Sequence, residues 1–145
     1  MNSIFQSKNF RSVPALLLGT LLFSVGAFAG DHNIKVSLAG SEEVPPVMTS
    51  AAGSGTIKIA EDRSVSGSVM TKGIEGTTAH IHVAEKGKNG PPIITLTKTG
   101  DGEWSVPAGA KLTDAQYVSF KAGDFYVNVH SAANKNGEIR GQLKP

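Results

Sequence analysis

The chain has 145 residues with 14 Lys+Arg against 12 Asp+Glu, no Cys, 17 Gly and 7 Pro. Its length fits one domain with a real core, and the lack of Cys excludes disulfides and thiolate metal sites. The slight positive charge gives no support to a nucleic-acid or anionic-membrane partner, because the only two charged residues before Gly30, Lys8 and Arg11, are both basic.

Residues 1–29 read as a secretory signal peptide. Lys8 and Arg11 make a basic start, Val13 to Phe23 and Val25 to Phe28 are apolar, and Ala27-Phe28-Ala29 has the small-x-small pattern of a cleavage site. A transmembrane helix is the competing reading, but Gly19, Thr20, Ser24 and Gly26 interrupt the apolar run. The expected product runs from Gly30 to Pro145, lies in the periplasm or outside the cell, and has no membrane span.

Ile34, Val36 and Leu38 alternate with Lys35 and Ser37, predicting a strand over Asn33 to Ala39. Gly40 to Ser50 holds Glu42, Glu43, Pro45 and Pro46 and reads as an extended loop or sheet edge with solvated carboxylates. Further strands are expected over Gly55 to Ala60, Ser64 to Thr71, Thr77 to Val83, Ile93 to Lys98 and Glu103 to Val106. Trp104 is a candidate for the core or its rim. Leu112 to Lys121 carries the one helical signal, with Thr113 and Gln116 at capping-box spacing and Gly123 beyond the end, so a short helix is expected near 113–121.

Asp124 to Leu143 reads as a β-hairpin. Phe125, Val127 and Val129 belong to a core face, as do Ile139, Gly141 and Leu143; Asn136-Gly137 marks the turn. The other face carries Tyr126, Asn128, His130, Glu138, Arg140 and Gln142. Short strands separated by Gly, Asn and Pro turns predict an all-β antiparallel Greek-key sandwich or barrel.

The chemistry concentrates in the histidines. His80-Ile81-His82 puts two imidazoles on one face of a strand, and His130 lies on the polar face of the hairpin. If those strands are neighbours, three neutral imidazoles converge on a nitrogen-rich site suited to copper first and zinc second. Asn128, Glu138 and Arg140 are candidate residues behind that site, orienting His130. Spacing alone favours the plainer alternative, in which these histidines hydrogen-bond neighbouring strands. His32 is a separate candidate. Cleavage after Ala29 would free the Gly30 amine two residues before His32, a spacing at which four nitrogens close around Cu(II) in a plane. No Cys nucleophile, Gly-x-Ser-x-Gly elbow or phosphate loop is present, so no catalytic residues are assigned.

The chain resembles the CHRD domain, a module repeated in chordin and found alone in many exported bacterial proteins. The resemblance is carried by Leu38-Ala39-Gly40-Ser41-Glu42-Glu43-Val44-Pro45-Pro46-Val47, Ala79-His80-Ile81-His82, Asn89-Gly90-Pro91, Gly123 to His130 and Gly137 to Leu143. It implies an all-β immunoglobulin-like barrel or sandwich over 30–145 and, in chordin, growth-factor binding. A more distant likeness is to copper–zinc superoxide dismutase, also a sandwich with His-x-His on a strand, but the four His and missing cysteine pair are too few ligands for its two-metal site. The leading expectation is therefore an exported copper-binding CHRD domain, with binding favoured over enzymatic activity and the latter left open. The alternatives are a structural or adhesive module with an exported protein partner, and a small copper redox enzyme.

Overall fold

The computed structural model describes residues 30–145; the expected signal segment, 1–29, lies outside the described residues. Nine strands form one sheet: β1 (His32–Ala39), β2 (Ala52–Ile59), β3 (Val65–Lys72), β4 (Gly76–Val83), β5 (Pro92–Thr95), β6 (Thr97–Gly100), β7 (Glu103–Ser105), β8 (Phe125–Ser131) and β9 (Ile139–Leu143). Their order is β5-β4-β8-β9-β1-β2-β3-β7-β6, and every pairing is antiparallel.

The two edge strands, β5 and β6, are consecutive in sequence and joined only by Leu96. One residue cannot bridge the width of a flat nine-stranded sheet, so the sheet curls until its edges meet. Leu96 is buried and its N–H donates to Ala79 O on β4 at 2.9 Å. The result is a nearly closed antiparallel barrel, as the strand pattern predicts. The single strand expected over Ile93 to Lys98 is corrected to two. Residues before Leu96 pair with β4 and residues after it pair with β7, at opposite edges.

The interior is built by period-2 alternation. On β1, Ile34, Val36 and Leu38 are buried between exposed Asn33, Lys35 and Ser37. Ile57, Ile59, Val69, Ala79, Ile81, Val127, Val129, Ile139 and Leu143 complete the lining, with Trp104 inside it. Helix α1 (Asp114–Lys121) has its expected capping box: Gln116 N–H donates to Thr113 Oγ1, and Thr113 N–H to Gln116 Oε1. The helix buries Phe120, whose ring lies 5.9 Å from that of Phe125. No helix among the described residues is long and apolar enough to cross a membrane.

β8 departs from the half-buried pattern. Phe125 to Val129 are buried on both faces, because loops cover the polar side. One cover is the Gly40–Glu42 3-10 turn and the chain after it, folded back by Glu43 N–H and Val47 N–H, which both donate to Gly40 O. Asn89 in a second loop donates to Val44 O at 2.7 Å and ties the two covers together. The expectation that Glu43 is a solvated carboxylate is therefore corrected: the residue is 5% exposed. Its neighbour Glu42 faces out and pairs with Lys86 at 3.4 Å.

Candidate metal centre

Strands β4 and β8 are neighbours, which decides the histidine geometry. Their register sets His80 opposite Asn128, His82 opposite Tyr126 and His130 opposite Thr78. All three histidines project from the face away from the core, so His130 lies diagonally across from His80. One ring nitrogen from each of His80, His82 and His130 lies within 4.8 Å of the others. His80 Nδ1 and His130 Nε2 are 3.0 Å apart. Metal–nitrogen bonds of about 2.0–2.1 Å put two tetrahedral ligands about 3.4 Å apart, so the His80–His130 pair would open by about 0.4 Å and lose the proton between its nitrogens to hold an ion. A pair at the 4.8 Å limit would close by about 1.4 Å to reach that spacing.

Backbone carbonyls set the tautomers. His82 Nδ1 donates to Gly90 O at 2.9 Å, and His130 Nδ1 donates to Lys135 O at 2.8 Å. A carbonyl only accepts, so both Nδ1 atoms carry the proton and both Nε2 atoms present a lone pair. His130 Nε2 then accepts from His80 Nδ1–H. His82 Nε2 is buried with no hydrogen-bond partner. Burial lowers the pKa of His80 and His82, for His80 with further help from the adjacent His130. For His82 the Gly90 carbonyl opposes the shift, which is nonetheless downward. Both rings are thereby held toward the neutral form that a metal requires. His82 is buried, while His80 and His130 are partly exposed, so the cluster is open to solvent on one side.

The residues expected behind the site divide. Asn128 is buried beside it, opposite His80 on one neighbouring strand and Arg140 on the other. Arg140 reaches it through Tyr126. The His82 ring stacks on Tyr126 at 4.7 Å and 6°, and the Arg140 guanidinium carbon lies 3.4 Å from the same ring's centre. Arg140 also donates to Asn89 Oδ1 at 3.3 Å. Glu138 makes no hydrogen bond to a histidine. Its oxygens accept from Thr49 Oγ1 at 2.7 Å, from Asn134 Nδ2 at 3.2 Å, and from Ser131 Oγ. Those donors, Ser131 first, hold its carboxyl below the usual range. Glu138 thus braces the 131–138 turn, and that turn carries the Lys135 carbonyl that orients His130.

His32 lies apart from the cluster. Its ring meets Phe120 edge-on at 5.3 Å, and it opens β1 opposite Ile59. Asp31 beside it pairs with Lys58 at 2.7 Å. Sequence reasoning missed Glu43, the stacking role of Tyr126, and the Gly90 and Lys135 carbonyls. Only Glu43 left a trace in the sequence, as an acid among apolar and proline residues.

Comparison with curated proteins and with solved structures returns no match. A family model described as the CHRD domain matches residues 34–143. The matched span runs from β1 through β9 and includes the three clustered histidines, Glu43, Asn128 and Arg140, so the chain belongs to the CHRD-domain family.

Proposed function

We propose that the protein is an exported CHRD domain that binds one transition-metal ion, copper ahead of zinc, through His80, His82 and His130. The observation that carries it is the pair of backbone carbonyls on the Nδ1 atoms of His82 and His130, which leaves His82 Nε2 without a partner and His130 Nε2 bonded only to the His80 Nδ1 proton that an ion would displace. An all-nitrogen donor set suits copper and zinc, and among divalent ions copper binds such donors more tightly. Binding rather than catalysis is proposed, in the periplasm or beyond it, after cleavage following Ala29. Metal analysis of tag-free protein challenged with copper and zinc is expected to give close to one equivalent at the cluster. No uptake after both challenges overturns this function.

A second reading is favoured by the 3.0 Å His80–His130 hydrogen bond, which satisfies two of the rings without any ion. In it the domain is a structural or adhesive module that meets another exported protein, and the metal analysis comes out empty. A copper chelate at Gly30-Asp31-His32 is a separate proposal. It requires the His32 ring to leave Phe120. Cu(II) titration of processed protein should show a square-planar visible band that one added residue before Gly30 removes. Identical spectra for the two forms eliminate the chelate.

A further inference from the structure

Three buried polar atoms beside the histidine cluster have no hydrogen-bond partner of good geometry: Glu43 Oε1, Asn128 Oδ1 and His82 Nε2. Their residues are 5%, 2% and 7% exposed, so bulk water does not serve them. The Asn128 amide lies beside the Glu43 carboxyl group over Gly137, and diagonally across the β4–β8 pair from His82. It is the only one of the three groups with both a donor and an acceptor end in every state. Whichever end it turns to Glu43, the other end faces His82.

The room for this junction is built into the backbone. Gly137 has φ +126°, and a Cβ there would run into Glu43 Oε1 and Asn128 Nδ2. The loop that brings Glu43 in is itself anchored, by two N–H groups on Gly40 O. Glu43 is not one of the residues whose ligand atoms cluster within reach of a single ion.

We propose that Glu43 is a positioning residue for His82: its carboxyl group engages the Asn128 amide and so fixes the group that borders the His82 ring. A carboxyl from the Pro45–Pro46 loop thereby reaches the cluster without touching an ion. The consequence for metal affinity rests on the proposed metal function; the link between Glu43 and His82 does not.

The test uses metal-free, 15N-labelled processed protein and the ring-nitrogen resonances of His82. Glu43→Met removes the hydrogen bonds at similar length, and Glu43→Gln retains a donor and an acceptor. Glu43→Met is expected to move the His82 resonances and to weaken Cu(II) binding by about 10-fold, the scale of an outer partner's loss. Glu43→Gln should restore both. A purely structural role would lower stability and leave the His82 nitrogens in place. Unmoved His82 resonances in folded Glu43→Met overturn the proposal, as does a Gln variant displaced as far as the Met variant. Where Glu43→Met does not fold, Asn128→Leu cuts the same link at its other end, and the same criterion applies. If wild-type protein takes up no copper, the metal function fails, and the metal-free resonances still decide the role of Glu43.

Discussion

His82→Ala is expected to abolish stoichiometric copper uptake, with affinity falling by more than about 100-fold. Loss of an outer partner of a metal ligand already costs about 10- to 100-fold, and His82 is proposed as a ligand itself. Among the three histidines it is the most buried, and the Gly90 carbonyl fixes its tautomer. The substitution also empties a buried position, unstacks Tyr126 and frees the Gly90 carbonyl, a cost of about 3–5 kcal/mol against a domain stability of order 5–15 kcal/mol, so the variant's fold is checked by circular dichroism before titration. Protons and the ion compete for the same lone pairs. With His80 and His82 shifted below 6.5 by burial, uptake by the wild type should persist to pH values below 6.5 and fail as the rings protonate. Isothermal titration with Cu(II), beside a His32→Ala control that leaves the cluster intact, measures the effect. Near-wild-type affinity in His82→Ala would remove the cluster from consideration as a metal centre.

Glu43→Gln should stabilise the protein above pH 7 by up to about 3 kcal/mol and leave it nearly unchanged at pH 4. Burial raises the Glu43 pKa from 4.5 to about 7, against the pull of the Arg140 charge and the Asn128 contact. Between those two values the native state keeps a proton that the unfolded chain has released. Stability from this group is therefore complete below about pH 4.5 and is lost as pH rises through about 7. A shift of that size is worth about 3 kcal/mol at about 1.4 kcal/mol per unit. Glutamine removes the ionisation and keeps the shape. His80 and His82 act in the opposite sense. Their depressed values give stability present above 6.5 and lost as pH falls, so they belong to the acid limb of the curve. They are common to both proteins and cancel in the difference. Denaturant unfolding of wild type and variant from pH 4 to 8.5 measures it. A difference that stays flat across that range would show that Glu43 ionises as an ordinary surface acid.

Much of the fold is legible in local pattern. Ile34, Val36 and Leu38 are buried because strand side chains alternate at period 2, and no distant residue is needed to see it. Thr113 and Gln116 cap the helix through contacts three residues apart, which the sequence states directly. His80 and His82 share a face for the same reason as the β1 residues. Whether β4 and β8 are neighbours is a different kind of fact. They lie more than 40 residues apart, and only sheet order places His130 within 3.0 Å of His80.

The split at Leu96 is likewise a property of barrel closure, since both halves have the same local strand signal. Glu138 shows the limit of reading faces from a hairpin. Its position on the polar face is correct, but three hydroxyl and amide donors from the turn and from Thr49 saturate its carboxylate, so it braces the loop instead of meeting a histidine. Taken alone, the sequence determined the strands other than the split at Leu96, the helix cap, the shared face of His80 and His82 and the family resemblance, because each depends on residues close along the chain. Tertiary structure alone decided the convergence of His130, the carbonyls that set two tautomers, and the burial of Glu43. Each of those depends on which loop folds over which strand, and a solvated acid and a buried one have the same letter in the chain.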